Sequence, residues 1–143
     1  MNNEFCTYEQ SLALKELGFD EPCFSYYNPN SVFMWKIMCS DEDNDHTLSI
    51  KDIMEHKAEG YVECPLKQQA FKFFREKYGH YSEIRVGCTQ IDGSIGYEWW
   101  IWEPNGIEEW SPEAPGEEWS YDTYEDAENA CLDKLIEIVK NKE

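Results

Sequence analysis

The chain has 143 residues, with 12 Lys+Arg against 30 Asp+Glu and a formal net charge of −18. A hydrophobic share of 41% and an aromatic share of 15% exclude a disordered polyelectrolyte, and the length fits a single globular domain, 1–143. The acid excess disfavours direct nucleic-acid binding, and no apolar run approaches the ~20 residues of a membrane helix.

Residues 1–5 show no basic stretch followed by an apolar one, so no signal peptide is expected. Thr7-Tyr8-Glu9-Gln10 reads as a capping box. Ala13, Leu14 and Leu17 supply an apolar helical stripe, Gly18 a left-handed stop and Pro22 a block to continuation. Residues 23–38 read as a hairpin: a strand-prone Cys23-Phe24-Ser25-Tyr26-Tyr27, turn chemistry at Asn28-Pro29-Asn30, and a second run over 32–38 that also fits a helix. A polar acidic loop follows over 40–47. Ser49-Ile50-Lys51-Asp52 then resembles a second capping box, opening a short helix to about His56. Pro65 suits the first turn of a further helix. Leu66, Ala70, Phe73 and Phe74 recur there at helical spacing, as do Phe71 and Tyr78, and Gly79 closes it.

Asp92-Gly93 is a two-residue hairpin signal. It pairs Cys88 with Tyr97, Val86 with Trp99 and Ile84 with Ile101, all on one face. The other face carries Glu83, Glu98 and Trp102, and sets Arg85 against Trp100 for a cation–π contact. Residues 103–122 form a long loop with Pro104, Gly106, Pro112, Pro115 and Gly116. Thr123 caps a final helix with a stripe of Ala127, Ala130, Cys131, Leu135 and Ile138, flanked by Leu132, Ile136 and Val139. The six cysteines (Cys6, Cys23, Cys39, Cys64, Cys88 and Cys131) contain no Cys-x-x-Cys pair. They read as free, mostly buried thiols of a reducing compartment rather than a disulfide framework or zinc site.

Three blocks combine in a specific order: 7–23 (TYEQSLALKELGFDEPC), 65–78 (PLKQQAFKFFREKY) and 123–140 (TYEDAENACLDKLIEIVK). In these blocks the chain resembles a family of small uncharacterised proteins from gut bacteria and their phages. The resemblance implies a cytoplasmic, phage-borne protein and carries no chemistry.

Four features bear on function. Asp41, Asp43, Asp45, Thr47, Ser49 and Asp52 fall at the first, third, fifth, seventh, ninth and twelfth positions of a calcium loop, with Leu48 at its apolar eighth. His46 replaces the turn glycine and Asp52 is shorter than the usual bidentate Glu, so a solvated acidic loop competes with calcium. Second, residues 86–133 hold 13 acids and no Lys or Arg, together with Trp99, Trp100, Trp102, Trp110 and Trp119. Within this stretch Trp100, Trp102, Glu108, Glu109, Trp110, Glu117, Glu118 and Trp119 are the candidate partner-binding residues. Tryptophans give contact area and carboxylates steer a basic partner, although a solubilising surface needs the same charge. Third, Lys67, Lys72, Arg75, Lys77 and Arg85 offer a basic patch for a phosphate or nucleotide, with Trp100 as a stacking platform; a helix face of snorkelling cations competes. Fourth, Cys64 precedes a helix N-terminus, which would lower its thiol pKa, and His56 or His80 would have to serve as base.

These observations predict an α+β domain: a mainly antiparallel sheet of two hairpins, with helices near 7–17, 65–78 and 123–141 on its core face. The favoured function is non-enzymatic: docking of a basic protein partner in the cytoplasm, by a phage-borne protein that sequesters a host factor or mimics nucleic acid. The alternatives are a small-molecule or nucleotide module using Lys67, Lys72, Arg75 and Arg85, and a thiol enzyme using Cys64. No resident cofactor is expected; calcium is the one metal raised. No membrane association is expected.

Overall fold

The computed structural model describes residues 3–35, 60–89, 95–103, 109–110 and 121–142. These fall into two compact units, one of residues 5–66 and one of residues 67–143 with residues 1–4. Each is α+β, and their strands form two separate antiparallel sheets.

In the first unit, helix α1 (Tyr8–Glu16) has the full capping box. The Thr7 hydroxyl accepts from the Gln10 amide at 3.1 Å, and the Gln10 side chain accepts from the Thr7 amide at 3.0 Å. At its other end Gly18 takes φ 95°. The Gly18 and Phe19 amides donate to the Lys15 and Leu14 carbonyls, a Schellman closure that buries Phe19. Ala13, Leu14 and Leu17 are buried. Strands β1 (Ser25–Tyr27) and β2 (Phe33–Trp35) form a hairpin with Tyr27 opposite Phe33. The Asn28 side chain holds its turn, accepting from the amides of Asn30 and Val32 at 2.9 and 3.0 Å. Strand β3 (Val62–Cys64) pairs on the other side of β1, and its Val-Glu-Cys run is too short for sequence periodicity to flag. Phe5, Phe33 and Trp35 meet edge-to-face, each pair with centroids 5.2 Å apart.

The expected helix start at Pro65 moves to Lys67. The Pro65 carbonyl accepts from the Cys6 amide at 3.0 Å, and Leu66 bridges Phe5, so both residues are held in extended pairing.

In the second unit, α2 (Lys67–Phe73) continues into a π-helical segment (Phe74–Tyr78) that ends at left-handed Gly79, φ 75°. Strands β4 (Tyr81–Thr89) and β5 (Ile95–Trp102) pair, and β6 (Glu109–Trp110) adds to β5, giving the order β4-β5-β6. Helix α3 (Tyr124–Lys142) is capped by Thr123, whose hydroxyl accepts from the Asp126 amide at 3.1 Å. Its buried stripe of Ala127, Cys131, Leu132, Leu135, Ile138 and Val139 packs across β4 and β5.

The β4–β5 register corrects the expected one. Ile84 faces Trp99, Val86 faces Tyr97 and Ser82 faces Ile101, an offset of two residues, with an irregularity between Val86 and Thr89. An offset of two preserves side-chain parity, so the expected faces survive although the partners change. Trp99 and Ile101 are buried, whereas Val86, at the tip end of the same face, is 66% exposed. Asp92-Gly93 lies outside the described residues.

Candidate binding face

The face of β4–β5 opposite the core carries the chemistry. Side chains alternate along a strand. Trp99 and Ile101 therefore enter the core, while Trp100 and Trp102 lie half-buried on the other side. Their indoles stack with centroids 6.4 Å apart and planes at 19°. The Arg85 guanidinium lies over both rings, 4.7 Å from the Trp100 centroid and 5.4 Å from that of Trp102. Arg85 also ion-pairs with Glu83, and the Trp100 indole donates to Glu98 at 3.0 Å. The resulting platform is a cation held on two indoles between two carboxylates. In register, β6 sets Glu109 opposite Trp102 and Trp110 opposite Ile101.

Of the candidate partner-binding residues, then, Trp100 and Trp102 share this face, and the backbones of Glu109 and Trp110 join the same sheet. Glu108, Glu117, Glu118 and Trp119 lie outside the described residues, as do Asp41, Asp43, Asp45, Thr47, Ser49 and Asp52 of the calcium-like loop. Among the described residues no group of three or more His, Cys, Asp and Glu side chains is arranged to hold a metal.

The expected basic patch divides. Lys67 is buried and pairs with Glu128 at 3.8 Å. Burial raises the pKa of Glu128, with Lys67 opposing. Lys77 lies over the rings of Phe73 and Tyr78, and Arg85 belongs to the tryptophan platform. Lys72 is exposed. Arg75 lines a cavity of about 130 Å³ beside β4, which the sequence analysis missed. The signal available for it was the spacing of Gln68, Phe71 and Arg75, one helix face.

The thiol expectation is also corrected. Cys64 sits in β3 ahead of the helix start, fully buried, and its Sγ donates to the Cys6 carbonyl at 3.4 Å. Burial pushes the Cys64 thiol up, against the pull of the Ser25, Tyr27 and Ser11 hydroxyls. Cys6, Cys23, Cys64 and Cys131 are buried and outside any disulfide, and burial pushes Cys131 up to about 12. His80 is buried, and His56 lies outside the described residues. Burial, then the charge of Lys142, lowers the His80 pKa, with Glu103 opposing.

Comparison with known proteins finds no matching family model, no matching curated protein and no matching solved structure. Among the described residues no helix is long and apolar enough to cross a membrane.

Proposed function

We propose that the protein is a non-enzymatic docking module that captures a basic, arginine-bearing protein segment on the Trp100–Trp102 face. The observation that carries this reading is the guanidinium of Arg85 already seated on both indoles, immediately before the 86–133 stretch of 13 acids and no Lys or Arg. A surface that holds its own arginine this way suits another: planar guanidinium stacks on indole where ammonium does not, and the surrounding carboxylates steer it in. Under this reading the protein works in the cytoplasm, sequesters a basic host factor on behalf of a phage or bacterial host, and imitates nucleic acid with carboxylates and indoles. Calcium plays no part in it.

The test is binding of an oligo-arginine and an oligo-lysine peptide of equal length, read by tryptophan fluorescence across a salt series. Arginine should bind several-fold more tightly, both affinities should fall with salt, and Trp102→Ala should remove the arginine preference. Equal affinity for the two peptides, unchanged by Trp102→Ala, would reduce the face to bulk charge.

A further inference from the structure

Strand β4 is the outer strand of the β4-β5-β6 sheet, and among the described residues no strand pairs with its far side. Such an edge presents a row of backbone amides and carbonyls that another strand can take up, and natural edges are often guarded by shortness, Pro or Lys. β4 is nine residues long and contains neither Pro nor Lys. Tyr81 is 54% exposed and Val86 66%, and no residue from Tyr81 to Val86 is fully buried. The irregularity between Val86 and Thr89 disturbs only the tip, so Tyr81–Val86 is the regular run.

This run is complementary to itself. Glu83 and Arg85 are its only charges, and they lie on one face with Ile84 between them in sequence. An antiparallel copy centred on Ile84 sets Glu83 opposite the second copy's Arg85, and Arg85 opposite the second copy's Glu83. Directly opposed side chains approach to about 4.5–5.5 Å at Cβ, where opposite charges attract. Within each chain Arg85 already pairs with Glu83, so the four charges alternate in sign around the axis. The registers centred on Glu83 or on Arg85 fail, because they set like charges face to face. On the other face of the strand, Val86 meets the second copy's Ser82 and lies diagonal to its Ile84, which covers a side chain otherwise exposed.

We infer that the protein forms a symmetric dimer through β4, in which two three-stranded sheets join edge to edge about a two-fold axis at Ile84. A single strand seam is small beside the ~800 Å² per partner of a standard interface, so the dimer exchanges with its monomer, with a dissociation constant on the order of 10–100 μM. The net charge of −18 opposes association, but at ~0.15 M salt that repulsion is screened beyond ~8 Å while opposed charges in contact keep their attraction. The stretch around the seam is also spared the acid excess: residues 67–86 carry five cations against two acids. The seam uses the strand edge and not the indoles of Trp100 and Trp102, so it stands or falls independently of the docking reading.

Sedimentation velocity of the full chain over ~5–500 μM at ~0.15 M salt should show the mass rising from 16.9 kDa toward twice that value. Glu83→Arg and Arg85→Glu should each weaken self-association at least about tenfold, because the two-fold axis repeats every like-charge contact. An equimolar mixture of the two variants should recover wild-type association, since every opposed charge then differs in sign. The double variant Glu83→Arg with Arg85→Glu should self-associate as the wild type does, for the same reason. Both side chains are partly in solvent, so all three variants should keep the wild-type circular dichroism. A wild type that stays monomeric throughout would overturn the inference, and slow amide exchange along β4 in that monomer would show the edge covered by its own chain. A dimer indifferent to the single variants would overturn it too, as would a mixture that associates no better than either variant alone.

Discussion

Replacing Trp99 and Trp100 separately by alanine tests the core assignment on two neighbouring residues. Trp99 is 5% exposed, and its indole reaches the Tyr121 hydroxyl at 3.4 Å. A buried aromatic of ~150–250 Å² contributes about 4–6 kcal/mol at ~25 cal/mol per Å². Alanine keeps part of that and leaves a cavity, so Trp99→Ala should cost ~3–5 kcal/mol. Trp100 is half-buried and would lose the Arg85 contact at 4.7 Å and the Trp102 stack at 6.4 Å. Those contacts are worth about 0.5–1 and 0.5–1.5 kcal/mol, so Trp100→Ala should cost ~1–2 kcal/mol. Urea unfolding followed by circular dichroism, with similar slopes for all three proteins, reads the difference as midpoint shifts. A cost for Trp100→Ala equal to or above that for Trp99→Ala would show that the strand faces are inverted.

Lys67→Met should cost about 3–5 kcal/mol because it leaves Glu128 buried without its cation, and the double variant Lys67→Met with Glu128→Leu should recover most of the loss in the same urea assay. Burial lowers the His80 pKa, so the unfolded state binds its proton more readily than the folded one. The His80 contribution is therefore complete above an unfolded pKa of about 6.5 and is lost as pH falls below it; wild type should lose more stability between about pH 7.5 and 5.5 than His80→Gln does. Thr7→Ala removes the hydroxyl half of the capping box and should cost ~1 kcal/mol, read as a lowered urea midpoint with an unchanged slope. Reversing Glu108, Glu109, Glu117 and Glu118 to Lys should abolish oligo-arginine capture while the far-ultraviolet spectrum is retained, which equilibrium binding in low salt would show.

What the sequence made legible was local chemistry. Thr7 with Gln10, Gly18, the Asn28 turn, Gly79 and Thr123 each satisfy backbone groups within a few residues, and each sits where its own chemistry requires. Strand parity was legible for the same reason: alternation along 81–89 and 95–102 separates Trp99 and Ile101 from Trp100 and Trp102 whatever the turn does. Register was not legible, because the Asp92-Gly93 signal fixes only the tightest closure, while the ladder from Val86 back to Tyr81 stands two residues from that register, one of the two steps falling at the irregularity between Val86 and Thr89. Neither were the partners of single cations. Lys67 and Arg75 stand on one short helical stretch, yet Lys67 is buried against Glu128 from α3 while Arg75 meets the cavity beside β4. Such long-range meetings depend on how helices cross a sheet, which no local spacing encodes. The sheet was expected to join both hairpins, but each hairpin gained its own third strand, β3 or β6, from runs of three and two residues.

The Trp100–Trp102 face separates two demands that net charge alone leaves entangled. An acidic surface keeps a protein soluble whatever lies beneath it, and for that purpose exposed indoles are a liability. The second unit nevertheless keeps two of its tryptophans half in solvent, stacks them, and holds a guanidinium across both. That arrangement is not required by the core, which Trp99, Ile101 and the α3 stripe already fill from the opposite face. Nor is it required by solubility, which the carboxylates of the 86–133 stretch supply without aromatic help. Arg85 itself adds little there: it is one positive charge among many negative ones, and its pair with Glu83 is too exposed to contribute much stability. What remains is the geometry, two parallel indoles with a planar cation across them and acids at both sides. It is the geometry by which a protein surface selects arginine over lysine. A docking role therefore accounts for the tryptophans and the carboxylates together, whereas solubility accounts only for the second.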